Sequence, residues 1–568
     1  MAKTYQEVNP DAKIIVLESA NSIGGVWCQE RLYPTLRTNN LYGTYEFSDF
    51  PMDGSFGVKH GEHVPGETLH RYLCAYAEHF GVRSKTRLGS NVETVEKAED
   101  GGWILEYVKK ASFSDATGAT KLYARKLVVA TGTFSEPNIP TIQGSDTFNA
   151  LLIHSKEILA RMDEIARAKR VVVLAGSKSA YDAAYMAASR GIEVDWVVRD
   201  SGRGAVWISP PFVTPLKKQV EKLANTRLLS WFSPCTWGSA DGFGRIRQFL
   251  HGTGVGRFLV DCFWKVLGND VCQLNAYDKH PETQKLKPWT EAFWIGSSFS
   301  ILNYPENFFD LVRGGKIRVH VSDISRLSPR TVHLANGEAI AADALICCTG
   351  WTSRPHIKFL PEGIDTAIGL PGDTPEGKME AARANEEILG QFPRLRQQPV
   401  VRNPYNGSIT FPKDPDARQE YEPFRLYRHM VPPALIHDRS IGFAGMLSNF
   451  SVLLCAQTQA LWLTAYLDGK LQLDTTYSPS FHDDMRRETY LHTQYGKWRY
   501  PFGNPVAPDF IFDVVPYIDW LLGDLGLRVH RKNGWLAECL SPYGPADYRG
   551  LVDEWRAVHQ GRETEERQ

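Results

Sequence analysis

Several signatures that would fix a function class are missing from this chain of 568 residues. Its nine cysteines (Cys28, Cys74, Cys235, Cys262, Cys272, Cys347, Cys348, Cys455 and Cys539) include no Cys-x-x-Cys pair. An odd count without that spacing argues against a disulfide scaffold, a zinc site and a dithiol redox centre. It reads as buried or half-buried thiols in a reducing, cytoplasmic setting. An excess of one charge is missing too. Lysine plus arginine number 64 against 65 aspartate plus glutamate, a net charge of −1, with the basic residues scattered. That balance gives no electrostatic reason to expect nucleic acid or an anionic membrane as partner. Residues 1–10 are polar and hold no signal-peptide core. The one long uncharged run, 441–467, contains Asn449, Gln457 and Gln459, and Gly442 and Gly445 break its start. It reads as a buried helix of a large core, and no membrane span is expected.

Four short apolar runs are present, each ending in a turn. Ile14-Ile15-Val16-Leu17 leads into Glu18, and Leu127-Val128-Val129-Ala130 into Thr131-Gly132. Val171-Val172-Val173-Leu174 leads into Ala175-Gly176-Ser177, and Leu345-Ile346-Cys347-Cys348 into Thr349-Gly350. Uninterrupted runs of this length, punctuated by glycine and followed by helical patterns, predict βαβ units around parallel strands. The alternation lapses between 201 and 307, where Pro210-Pro211 and five tryptophans (Trp207, Trp231, Trp237, Trp264, Trp289) predict a mostly helical insertion.

A further absence is arithmetical. In a dinucleotide-binding βαβ unit an acidic residue stands about 20 residues after the glycine loop and bonds a ribose hydroxyl. Glu18 ends an apolar strand as that acid should, yet the same spacing puts the glycines at or before Met1. The segment 2–8 then reads as the end of the helix after the loop, with the first strand and the loop missing. Alone, Glu18 reads more readily as the end of an unrelated strand.

The residues that follow carry a resemblance. Ser22-Ile23-Gly24-Gly25-Val26-Trp27 is succeeded by Thr38-Asn39-Asn40, Phe47-Ser48-Asp49-Phe50-Pro51, His63-Val64-Pro65-Gly66 and a helical pattern over 69–80. Ala130-Thr131-Gly132, the segments 148–158 and 176–182, and Cys348-Thr349-Gly350-Trp351 continue it. In order and spacing the chain resembles the flavin-containing monooxygenases, particularly fungal members of secondary metabolism. The resemblance covers most of the chain, loosely in the insertion and the C-terminal part. It implies a start assigned inside the helix, or a truncated gene, because such enzymes carry G-x-G-x-x-G ahead of the position of Ala2.

What the resemblance implies can be placed residue by residue. Glu18 would accept hydrogen bonds from the FAD ribose. Gly24 and Gly25 would allow close backbone approach, and Val26 and Trp27 would pack by the flavin. Thr38 and Asn39 match a Thr-Asn pair near isoalloxazine and nicotinamide, which makes Asn39 the catalytic candidate, an amide able to stabilise developing charge on oxygen. Gly132 and Gly350 join the cofactor-binding set. In the second nucleotide unit Gly176, Ser177, Lys178 and Ser179 would receive NADPH, although Ala175 and Ala180 depart from the glycine pattern. Arg199, at the end of the next strand, would favour a 2′-phosphate. In 148–158, Phe148 and His154 match F-x-G-x-x-x-H-x-x-x-Y while Ala150 and Ile158 depart from it, and His154 reads as a structural linker. A Baeyer–Villiger enzyme would have Trp at position 158 and a mobile Arg, and no Lys or Arg lies between Lys287 and Arg313.

The expected fold is α/β, with two nested Rossmann-like dinucleotide-binding domains. Residues 1–152 begin the FAD domain, 153–340 form the NADPH domain with the insertion at 202–307, and 341–568 complete the FAD domain with a C-terminal extension. The expected reaction moves one oxygen atom from a C4a-hydroperoxyflavin to a small apolar substrate by heteroatom oxygenation, epoxidation or Baeyer–Villiger insertion. An inactive truncated binding module and an NADPH-dependent flavin reductase stay open.

Overall fold

Val171, Val172, Val173 and Leu174 offer apolar side chains to both faces, so the strand they form needs cover on both sides. In the computed structural model, strand Arg170–Leu174 is the middle of a five-stranded parallel sheet. The order across it is Leu151–His154, Ala344–Cys347, Arg170–Leu174, Glu193–Val198 and Ile317–Val321. Alternation sorts the side chains between two layers. Val171 and Val173 pack with Ala183, Ala184 and Ala187 of helix Lys178–Ala188. Val172 and Leu174 face the other way, onto Leu327, Val332 and Ile340 of a small antiparallel sheet. The expected boundary at 152 falls inside the first of these strands, and the one at 340 falls just before Ala344–Cys347. The structure describes every residue except 110–117, 215–216, 297–298, 353, 373, 413–421, 472–478, 505 and 566–568.

The other half is built differently. Strand Val16–Leu17 pairs in parallel with Thr86–Arg87, and Leu127–Val129 pairs in parallel with Ile441–Phe443. Among the described residues no strand joins these two pairs into one sheet. Ile15, beside the first pair, is 41% exposed. A meander of Ser90–Lys97, Trp103–Lys109 and Thr120–Ala124, with Lys358–Leu360 added in parallel, closes this side.

The insertion and the C-terminal part share the largest core. Trp207, Trp231, Trp264 and Trp294 from the insertion pack with Trp462, Tyr517 and Trp555 from the far end of the chain. The uncharged run resolves into strand Ile441–Phe443 and helix Val452–Leu467, whose residues from Leu453 on are almost all buried. Among the described residues no helix is long and apolar enough to cross a membrane.

Candidate active site

The turn after strand Arg170–Leu174 is tightly packed. Ala175 takes φ +113°, a region that side chains rarely adopt, held by Trp196 Nε1 donating to its carbonyl at 2.6 Å. A β-carbon on Gly176 would stand 2.5 Å from the Gly204 carbonyl oxygen, so this glycine is demanded by the segment 204–206 lying across it. The Val206 amide donates to the Gly176 carbonyl at 2.7 Å. Ser177 donates its hydroxyl to the Cys348 carbonyl (2.9 Å), tying the turn to the strand on its other side. Ser177 therefore gives helix Lys178–Ala188 no side-chain cap; the Ala180 amide turns back to the Ser177 carbonyl (3.0 Å), and those of Lys178 and Ser179 remain available to an anion.

Lys178 points inward rather than at that first turn. Its ammonium lies 2.5 Å from Asp182 and donates to Asn303 Oδ1 at 3.0 Å, with Tyr304 donating to the same Asp182 oxygen. Burial pulls its pKa down against the pull of Asp182. Ser179 follows it half-buried on the helix. Arg199 is exposed just past strand Glu193–Val198, next to Asp200, whose carboxyl is raised by burial and by the neighbouring Asp323.

On the other side three of the four turn glycines face open space. Glu18 accepts from the Ala20 amide at 2.9 Å and stays half-buried. Glu30 pins the loop after it, accepting from the Asn21 amide (2.8 Å) and the Ser22 hydroxyl (2.6 Å). Gly24 has φ +128°, and a β-carbon there would strike the Trp27 carbonyl at 2.8 Å. Gly25, Gly132 and Gly350 have φ of +60°, +66° and +88°, with no atom within 4 Å of where a β-carbon would stand. Val26 is exposed, whereas Trp27 is half-buried against Gly66.

Asn39 lies on strand Arg37–Leu41. Alternation turns Thr38 and Asn40 inward and Asn39 outward. The Thr38 hydroxyl donates to the Asn40 carbonyl (2.6 Å) and accepts from the Val64 amide (3.1 Å). The Asn40 amide donates to the Phe450 carbonyl (2.9 Å) and to Glu221. Among the described residues the Asn39 side chain has no hydrogen-bond partner. Behind the strand, Glu221 from the insertion also accepts from Thr44 (2.8 Å), and burial pushes its pKa up to about 7. His63, on the paired strand His63–Pro65, has both ring nitrogens buried without a hydrogen-bond partner, and burial lowers its pKa to about 4.

Two junctions join the halves. Asn303 donates to the carbonyls of Arg37 (2.9 Å) and Thr38 (3.3 Å), linking Lys178 to the Asn39 strand. At the second, Arg31 donates to the Phe134 carbonyl and lies over Trp351. There His154 approaches the Gly350 carbonyl with Nε2 (3.0 Å) and accepts from the Lys156 amide with Nδ1 (3.2 Å). With both nitrogens engaged and its pKa lowered by burial, this is a neutral, structural histidine. Sequence reasoning missed Glu221, Asn303 and Arg31. Asn40 was adjacent to a motif, but nothing local marks the other three.

Comparison with known proteins gives the chain a family. The pyridine nucleotide-disulphide oxidoreductase family matches residues 44–229. FAD-dependent monooxygenase resA of Aspergillus sclerotiorum is 32% identical over 99% of this chain and 97% of its own. An FAD-dependent monooxygenase of Pyrenophora dematioidea is 32% identical over 94% and 97%. Among solved structures, the polycyclic ketone monooxygenase of the thermophilic fungus Thermothelomyces thermophila shares the fold (TM-score 0.55, 14% identity, 98% of this chain and 85% of that one). So does an oxidised steroid monooxygenase bound to NADP (TM-score 0.53, 16% identity, 93% and 96%). Identity at this level along nearly the whole length of its relatives places the chain in the FAD-dependent monooxygenases, a family of oxidoreductases.

Proposed function

We propose that the chain binds FAD and NADPH and places one atom of dioxygen on an apolar small molecule, a natural-product intermediate. The residues present suit the ribose and ring ends of FAD. Glu18 closes a strand as a ribose acceptor should, and the open turns at Gly25, Gly132 and Gly350 allow a flat ligand to approach backbone. For NADPH, the uncapped first turn of helix Lys178–Ala188 suits the diphosphate and Arg199 the 2′-phosphate. Bound FAD supplies the oxygen chemistry once the nicotinamide has reduced it.

The observation that carries this reading is Asn39. Its neighbours Thr38 and Asn40 are bound inside the protein, so Asn39 alone on that strand keeps an amide for a reacting oxygen. For the substrate, a narrow apolar cavity lies under the insertion, lined by Trp207, Leu223, Trp264, Val271, Phe299 and Phe512 among others. Strand Phe299–Ile301 packs against the Asn39 strand, which brings that cavity alongside it.

The test uses purified protein, NADPH, oxygen-18 gas and methyl phenyl sulfide as an apolar probe. The expected result is flavin absorbance, NADPH oxidation and labelled sulfoxide. Flavin-loaded protein that oxidises NADPH while all the reduced oxygen leaves as peroxide defeats the monooxygenase reading in favour of a flavin reductase.

A further inference from the structure

The overall charge balance of the chain hides a local one on the insertion. Helices Gly244–Gly252 and Gly254–Asn275 are joined at Thr253 and pack side by side. A β-carbon on Gly256 would fall 2.1 Å from the Phe249 carbonyl oxygen, so the two helices touch at their junction. One face of the longer helix is spent on the interior, where Trp264, Leu267, Gly268 and Val271 line the apolar cavity. Its opposite face should be polar in a protein surrounded only by water. Instead Val255, Phe258, Leu259 and Val266 occupy it, with Phe258 66% and Val266 70% exposed. Ile246 and Phe249 of the shorter helix extend the patch. The stripe turns polar only beyond it, at Asn269 and Gln273.

The charges around the patch are mainly basic. Arg245 and Lys265 are exposed and Arg257 is half-buried. Of the two acids on the longer helix, Asp261 is taken up by Arg394 at 2.8 Å and Asp270 accepts from the Thr214 amide at 2.9 Å. Bulky apolar side chains on one helical face, with basic residues around them, are what an interfacial helix presents to a bilayer with anionic headgroups.

We propose that this helical pair docks the protein on an anionic lipid surface, its junction end dipping into the headgroup layer without spanning it. The cavity behind the same helix then lies one helix away from the phase in which apolar molecules concentrate. The docking itself does not depend on the oxygenation chemistry, so its test reads binding alone.

The full-length protein is sedimented with phosphatidylcholine vesicles and with vesicles containing phosphatidylserine as well. It should partition onto the mixed vesicles, and the double variant Phe249→Ser/Phe258→Ser should bind about tenfold or more weakly. Both phenylalanines are exposed, so its melting temperature should match that of the parent protein. Arg245→Ala/Lys265→Ala should weaken binding on the mixed vesicles only. Absence of binding to either vesicle, or equal binding by the phenylalanine variant, overturns the proposal. Light scattering that shows a dimer turned into a monomer by the same variant also overturns it, and assigns the face to a second copy of the chain.

Discussion

At Gly176 a β-carbon would stand 2.5 Å from a carbonyl oxygen, while at Gly25, Gly132 and Gly350 it would meet nothing within 4 Å. The nucleotide-side turn is closed by the protein's own backbone, with Lys178 drawn inward to Asp182. Gly25, Gly132 and Gly350 are left open, and Asn39 keeps an unused amide. A closed turn stores stability and an open one stores binding capacity, so substitutions on the two sides should fail in different assays.

The largest separation is expected at Asn39. Asn39→Ala should lower kcat for oxygen transfer by about 100- to 1000-fold, with thermal unfolding unchanged to within about 0.5 kcal/mol because no internal bond is lost. A comparable fall in stability would show that Asn39 belongs to the closed side.

Glu221 lies behind the same strand and should report on stability alone. Its carboxyl keeps its proton up to about pH 7 in the folded protein, whereas in the unfolded chain it ionises near 4.5. The stabilisation is therefore complete below pH 4.5 and is lost as pH rises toward 7. Between those values the parent protein should lose on the order of 3 kcal/mol relative to Glu221→Gln. Asp519, also raised to about 7, titrates in both proteins and cancels from the difference. Parallel denaturant curves for the two proteins across this range would remove Glu221 from the buried side.

Gly176→Ala and Gly25→Ala test the comparison most directly. The first forces a side chain against backbone and should cost about 2–3 kcal/mol of stability. The second meets only the penalty of its left-handed backbone, about 1 kcal/mol. Equal costs would mean that both turns are governed by φ. Smallest is Ala175→Gly, which relieves the +113° backbone and should raise stability by about 0.5–1 kcal/mol. A lower melting temperature would show that the β-carbon of Ala175 contributes packing.

How much of this was readable in advance follows from distance along the chain. Strands Arg170–Leu174, Ala344–Cys347 and Leu127–Val129 lie on the apolar runs that predict them, because such a run is written in consecutive residues. Arg199 falls just past strand Glu193–Val198, as a local pattern can foresee. The Asn40–Glu221 contact joins positions 181 residues apart, and Lys178–Asn303 joins positions 125 apart. No periodicity marks such pairs. Lys178 reads as part of an NADPH site because it opens a helix after a glycine turn. Its inward course depends on Asp182, one turn further along, and on Asn303 and Tyr304 arriving from the end of the insertion.

Asn303 has a mechanical consequence. Its amide nitrogen grips two successive carbonyls of the Asn39 strand while its oxygen receives the Lys178 ammonium. A swing of the nucleotide sheet that carried Lys178 away would have to release those carbonyls or drag Asn39 along. The angle between the two halves and the aim of one amide are therefore geared together, and nicotinamide exchange, should it need such a swing, would reset both in a single motion.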